Sequence, residues 1–292
     1  MTDETIGEIK DSSGETANSE SAVAEPRPET SGETRVLPRH EAHSEQRTET
    51  TTSEYFESLL ITIILALFGT TFIVQAFKIP SPSMEKTLMV GDHLLVNKFI
   101  FGGHGAWYEK ILPYRPLQRG DIIVFKYPYA DHQHFVKRVI GLPGDHLKLV
   151  DEQVYINGKL LNEPYVVHDP SAGYDPLIYS FPPPGENFFN TAMQTEWAQE
   201  MHKYIQGDEI VVPPNKYFAM GDNRDHSLDS RYWGFVDRSA IMGRPFLIYW
   251  SVKATVNDYN QSTFLQRLES TLDTLAHLPE RTRWNRMLRT VH

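Results

Sequence analysis

Residues Ser58 to Phe77 form a run of twenty residues without a charge, and at about 1.5 Å rise per residue such a run makes roughly 30 Å of helix, the thickness of a bilayer's hydrocarbon core. Nothing else in the chain restricts its folding so tightly. An unbroken apolar stretch of that length suits a membrane anchor better than a core helix, so a transmembrane segment is predicted over 54–78. It lacks a basic lead and a small-x-small site behind it, which argues against a cleaved leader. Lys78 marks the exit, and Pro80, Ser81, Pro82 and Ser83 follow at once. Chemistry on those hydroxyls would therefore take place near the lipid surface. Arg35, Arg39 and Arg47 precede the run while Lys78, Lys86 and Lys98 follow it, so the positive-inside rule leaves orientation open.

Composition divides the chain before and after this run. Residues 1–53 contain no aromatic side chain and carry 12 acidic against 5 basic residues. Such a segment cannot bury enough apolar surface to offset its ordering entropy, and a disordered acidic tail is expected there. Residues 54–292 hold 23 basic and 26 acidic residues, a near balance that gives no electrostatic case for nucleic acid as a partner. The absence of cysteine removes disulfides, thiolate nucleophiles and cysteine metal sites.

Beyond Lys78 short β-branched and aromatic runs alternate with Gly, Pro, Asp and Asn. Strands are predicted at Asp121 to Phe125, Phe135 to Ile140, Leu147 to Val150, Val154 to Ile156, Lys216 to Met220 and Phe246 to Trp250. Asn157-Gly158 reads as a two-residue hairpin turn. The pattern is that of a mostly β, antiparallel domain over 79–255 and not of a βαβ repeat. Residues 163–208 break it with Pro164, Pro170, Pro176 and Pro182-Pro183-Pro184 before a helix-compatible Thr191 to Ile205, and read as an inserted smaller subdomain. Over 256–292, Phe264, Leu265, Leu268, Leu272 and Leu275 recur at helical spacing. Arg281, Arg283, Arg286 and Arg289 then surround Trp284, Met287 and Leu288. An amphipathic helix with a basic tail on anionic lipid, and a helix packed on its own domain, both fit this pattern.

Ser83 is a poor nucleophile until a base removes its proton. None of the twelve histidines has an evident carboxylate partner by sequence, which leaves two lysines. Lys86 gives Ser83-Met-Glu-Lys86, formally the S-x-x-K of penicillin-binding proteins and β-lactamases, but the S-D-N and K-T-G companions of that motif do not occur, and Pro80 and Pro82 hold the approach extended. Lys137 shares a strand face with Phe135 and Val139. An apolar wall there would lower its pKa by several units, as a general base at neutral pH requires, although a lone lysine on an amphipathic strand also snorkels without function. Asp131-His-Gln-His134 offers two alternate histidines but no third ligand, and no metal is assigned.

A third cluster, Gly221-Asp-Asn-Arg-Asp-His-Ser-Leu-Asp-Ser-Arg-Tyr-Trp-Gly234, is dense in charge and turn formers. Together with Pro80-Ser-Pro-Ser-Met84, Arg119-Gly-Asp-Ile-Ile-Val-Phe125 and Phe135-Val-Lys-Arg-Val-Ile-Gly-Leu-Pro-Gly-Asp145, it resembles the conserved boxes of bacterial type I signal peptidases, in the family's order from the anchor to about Trp250. The resemblance implies a coiled antiparallel β-sheet catalytic domain after one transmembrane helix, with no cofactor. Ser83 would be the nucleophile and Lys137 its general base. Ser81, with the Ser83 backbone N–H, would form the oxyanion hole. Ser227 would hydrogen-bond the Lys137 amine, Asp222 would pair with Arg138, and Asp229 with Arg231. The implied activity is a membrane-bound serine endopeptidase that removes signal peptides from preproteins, with the cytoplasmic (inner) membrane as its place and the catalytic domain on the extracytoplasmic side. Glu85-Lys86 and His226 depart from common family residues. The rivals are an acyl-serine enzyme using Ser83 and Lys86, and a non-catalytic membrane-tethered relative.

Overall fold

A computed structural model describes residues 52–101, 114–130, 132–185, 192–254 and 277–292. The acidic tail, except for its last two residues, and the leucine repeat Phe264 to Leu275 lie outside the described residues. The apolar run does not form one helix. Helix α1 (Thr52–Phe68) gives way to a π turn at Gly69–Ile73, and Val74–Lys78 is strand β1. Gly69 and the β-branched Thr70, Thr71, Ile73 and Val74 are weak helix formers. Pairing with β2 (Asp92–Asn97) from Val74↔Asn97 to Lys78↔His93 then claims the end of the run for the sheet. Among the described residues no helix is long and apolar enough to cross a membrane, which corrects the expectation of an unbroken span to Phe77. Leu59, Leu60, Ile61, Ile63, Ile64, Leu65 and Leu67 of α1 are all exposed.

The rest is mostly β, with antiparallel sheets. Strands β3 (Ile122–Lys126), β4 (His134–Gly141), β5 (His146–Val150), β6 (Gln153–Ile156) and β7 (Lys159–Leu160) follow one another. After them come α2 (Pro176–Tyr179), β8 (Ser180–Phe181), α3 (Thr195–Glu200), β9 (Ile205–Gln206), β10 (Glu209–Val211) and β11 (Lys216–Met220). The chain continues through α4 (Ser230–Trp233), β12 (Val236–Asp237), β13 (Ile241–Ser251) and β14 (Arg289–Thr290). One sheet runs β1-β2-β13-β3-β4-β11-β12, with β14 also on β13, and the second runs β7-β6-β5-β10-β9, with β8 on β5. Strand β13 leaves β2 for β3 through register shifts. Such irregularities bend a strand and increase its twist. Asn157 and Gly158 both have positive φ between the paired Ile156 and Lys159, the geometry of a type I′ hairpin.

Strand β3 is buried on both faces and separates two cores. Ile123 and Phe125 join the large one, with Leu147, Phe181, Phe218 and Trp233. Ile122 joins a smaller one of Ile79, Met84, Leu88, Leu94, Ile248 and Val291. Because Met84 and Leu88 flank the Ser83 turn, this smaller core fixes where that turn sits. Val291 shows that the C-terminus folds back onto it. Within this C-terminal segment Arg286 is buried, its Nη2 donating to Asp92 Oδ2 at 2.6 Å and to the Thr87 carbonyl at 3.0 Å. Ser251 Oγ and the Met89 N–H also bind the fully buried Asp92. The basic segment therefore spends one of its arginines inside the domain. Arg286→Ala leaves Asp92 without its cation, and we expect a loss of about 3 kcal/mol in a urea titration, at the low end for a broken buried pair because two other donors remain.

Candidate active site

Strand β4 brings two cations to one place on opposite faces. Lys137 stands opposite Ile123 and Arg138 opposite Ile122, so alternation sends one side chain toward each core. Both are buried. The Lys137 amine lies 5.5 Å from the Phe135 ring centroid, and Tyr127 stacks on that ring at 4.5 Å. Burial lowers the Lys137 pKa from 10.5 to about 8, although Asp229 and Asp222 pull it upward and Arg231 adds a small downward push.

Ser83 sits in a 3-10 turn, Pro82–Met84, entered from an extended Ser81. Proline at the first helical position fits because its fixed φ is already helical and the missing N–H has no partner to lose. The buried Met84 holds the turn from below. Lys137 Nζ lies 2.6 Å from Ser83 Oγ, and Ser81 Oγ lies 3.4 Å from the same atom. Lys86 is exposed with φ 77° after an extended Glu85. The stretch from Ser83 to Lys86 is thus not a helical turn, and the S-x-x-K geometry is missing.

Strand β11 pairs Met220 with Arg138 and so delivers the loop after it beside β4. Asp222 accepts two bonds from Arg138, at 2.8 and 2.7 Å, and one from Thr87 Oγ1 at 2.6 Å. Asp229 and Arg231 form a fully buried pair at 2.8 Å. Burial pushes the Asp229 carboxyl up, but Arg231 and the Gly221 N–H together hold it below the usual carboxylate range. The two acid–base pairs foreseen in the sequence are thus formed. The Ser227 bond to Lys137 is not: Ser227 Oγ makes no hydrogen bond to the amine and is buried on the side of Asp229, whose carboxyl it helps to hold down. It packs instead against Gly221, where an added Cβ would stand 2.3 Å from Ser227 Oγ and 2.5 Å from the Ser83 carbonyl oxygen. Only glycine allows this approach.

Sequence reasoning missed Asn223, whose N–H binds the Ser83 carbonyl at 3.1 Å, and Thr87. Thr87 carries no local signal, and Asn223 was visible only as part of a charged loop. Two free strand edges also converge here. Strand β1 pairs only with β2, and β11 joins β4 only from Arg138 onward. Residues 134–137 and 74–78 thus each keep one edge without a partner strand among the described residues, while Phe77 and His134 touch edge to face at 5.5 Å.

A buried serine held against a buried lysine, with a second hydroxyl beside it, is the arrangement of a serine hydrolase. Residues 52–250 match the family described as signal peptidase, peptidase S26. Signal peptidase I of Pseudomonas aeruginosa is 37% identical over 214 residues, covering 68% of this chain and 72% of that protein. Signal peptidase I of Aquifex aeolicus is 37% identical over 226 residues, covering 67% and 83%. A solved signal peptidase I from Enterococcus faecalis V583 is 32% identical, is matched over 44% of this chain and 97% of its own, and superposes with a TM-score of 0.31. The chain belongs to the signal peptidase family, peptidase S26.

Gly221→Ala forces Ser227 or the Ser83 carbonyl to move. We expect kcat/KM to fall about 100-fold or more, since a shift near 1 Å at the reacting atoms costs that much, while circular dichroism remains that of the folded chain.

Proposed function

We propose that the chain removes signal peptides from preproteins as a serine endopeptidase in which Ser83 is the nucleophile and Lys137 the general base. The carrying observation is the 2.6 Å contact between Lys137 Nζ and Ser83 Oγ in a buried setting. A neutral amine at that distance accepts the Ser83 proton as Oγ attacks the scissile carbonyl. The oxyanion is then held by the Ser83 N–H and the Ser81 hydroxyl, each such donor being worth about 3 kcal/mol of barrier. The ammonium of Lys137 returns its proton to the leaving amine. Water, deprotonated by the same lysine, hydrolyses the acyl-serine. The pairs Asp222–Arg138 and Asp229–Arg231 hold the strand and loop without touching the reacting atoms. Ser227 fills the wall beside Gly221.

The substrate is an extended segment. It would lie between the free edges of β1 and β4, main chain to main chain, as peptides add to sheet edges elsewhere. Ser83 stands at the end of this groove.

The same reading places the chain in the cytoplasmic membrane with one crossing and the catalytic domain outside. Helix α1 and the π turn together run 22 residues from Thr52 to Ile73, about 30 Å. The apolar side chains from Leu59 to Leu67 are exposed, with nothing among the described residues to cover them. Since β1 starts directly after the turn, the groove would open at the lipid surface, where the end of a signal helix emerges.

Three outcomes follow. Incubated with a preprotein in detergent, Ser83→Ala and Lys137→Ala each lose cleavage by about 10³-fold or more. Wild-type kcat/KM rises with pH through an acid limb near pH 8, because the base is the neutral amine; cleavage that survives Lys137→Ala removes the assignment. Deleting residues 52–73 is expected to move the chain from the carbonate-resistant membrane fraction to the soluble one, and a full-length chain already soluble in carbonate contradicts the anchor.

A further inference from the structure

The insertion after β7 begins with a stretch that touches the proposed site from behind. Tyr165 lies flat against the Arg138 guanidinium, 3.9 Å from ring centroid to Cζ. Its hydroxyl donates to Glu163 Oε1 at 3.1 Å, and the same oxygen accepts from Arg224 Nη2 at 2.5 Å. Arg224 is itself fully buried and donates to the Gly221 carbonyl. Val167 then forms a parallel bridge with Asn223. Its N–H binds the Asp222 carbonyl at 2.8 Å, and its carbonyl accepts the Arg224 N–H at 3.1 Å. Further along, the Asp169 N–H binds Asp225 Oδ2 at 2.7 Å, and Asp169 Oδ2 meets His226 Nε2 at 2.8 Å.

The geometry gives this stretch more than a packing role. In an extended strip, successive residues offer their backbone groups to opposite edges. Asp222 and Arg224 use theirs on Val167, so Asn223 faces the other way, and its N–H binds the Ser83 carbonyl. Residues 222–224 are therefore a narrow strip held between the insertion on one side and the Ser83 turn on the other. A displacement of Val167 passes through two hydrogen bonds to Ser83. Tyr165 acts by a second route. It covers the guanidinium that neutralises Asp222 through the bidentate pair, and cation–π contact with a desolvated guanidinium favours that placement. Asp222 in turn bears electrostatically on the Lys137 amine.

We infer that Glu163–Asp169 is a positioning strap for the Ser83 and Lys137 pair, with Tyr165 its positioning residue. The inference rests on the Ser/Lys reading above. It assigns the head of the insertion to the alignment of the reacting groups and to the charge balance around the base.

The test uses the full chain in detergent with a preprotein, measuring kcat and KM from pH 6 to 10 for wild type, Ser83→Ala, Tyr165→Phe and Tyr165→Leu. Tyr165→Phe keeps the aromatic face over Arg138, and kcat stays within about threefold of wild type with the acid limb in place. Tyr165→Leu removes that face. Its kcat falls about tenfold or more with KM within about twofold. The acid limb moves to higher pH by about half a unit or more, because a less neutralised Asp222 favours the protonated amine. A wild-type kcat and limb in Tyr165→Leu overturn the strap, as does a kcat loss that vanishes at lower assay temperature with the limb unmoved, which is instability alone. If Tyr165→Leu does not accumulate in folded form, Tyr165→Met carries the same expectations and the same refutations. Cleavage that persists in Ser83→Ala sinks the Ser/Lys reading itself. Cleavage lost in Ser83→Ala but unchanged in Tyr165→Leu sinks only the strap.

Discussion

The burial of one lysine amine organises this molecule. A cation of that kind, moved out of water, costs several kcal/mol unless it is paired or neutral. The fold pairs Lys137 with no carboxylate of its own: Asp222 is committed to Arg138 and Asp229 to Arg231. Desolvation therefore wins and brings the amine to about pH 8. The linkage has a definite sign. Because the folded value lies below the unfolded one, the cost to stability is fully present below about pH 8 and vanishes above about 10.5, and its size is on the order of 3 kcal/mol. A chain whose total stability is of order 10 kcal/mol gives up a substantial share to hold that group.

That constraint explains why the neighbourhood is so heavily bonded. Three arginines, Arg138, Arg224 and Arg231, are buried within one loop and one strand, a density that would be ruinous if any were left uncompensated. Each is matched by a carboxylate: Asp222, Glu163 and Asp229. The carboxylates in turn collect Thr87 and the Gly221 N–H. The result is a rigid polar layer beneath the Ser83 turn, with the apolar wall of Phe135 and Tyr127 on the lysine side. The C-terminal segment adds a third support through Arg286, Asp92 and the Thr87 carbonyl. The Ser83 turn is thereby held by parts of the chain that are up to about 200 residues apart in sequence.

Much of this layout was legible in the sequence. The strands at Lys216 to Met220 and Leu147 to Val150 coincide with β11 and β5, since β-branched and aromatic runs bounded by turn formers have few other outcomes. The face shared by Phe135, Lys137 and Val139 followed from strand alternation, and the turn at Asn157-Gly158 from the positive φ both positions require. Strand β1 was not legible. Val74 to Phe77 continues an apolar run, and although Gly69 and the β-branched residues before it weaken the helix, nothing local says that the chain then joins a sheet. Only pairing with β2 decides it. Ser227 failed for a related reason: a residue type and position suggest a hydrogen bond, but its direction depends on how closely the loop packs against Gly221.

What the sequence determined by itself was chemistry and order: an apolar helix-forming run, then a serine, then a lysine on a strand with apolar neighbours, then a charged loop. Those follow from short-range rules of periodicity, propensity and residue type. Residue chemistry left Lys86 and Lys137 both open and the family resemblance pointed to Lys137; the tertiary structure supplies the contact, because Lys86 is three residues away yet turned outward, while Lys137, 54 residues on, arrives at 2.6 Å. It also decided that the insertion and the C-terminus brace the same turn. Those contacts rest on sheet register and buried charge balance, which are settled between distant segments only once the chain has closed on itself.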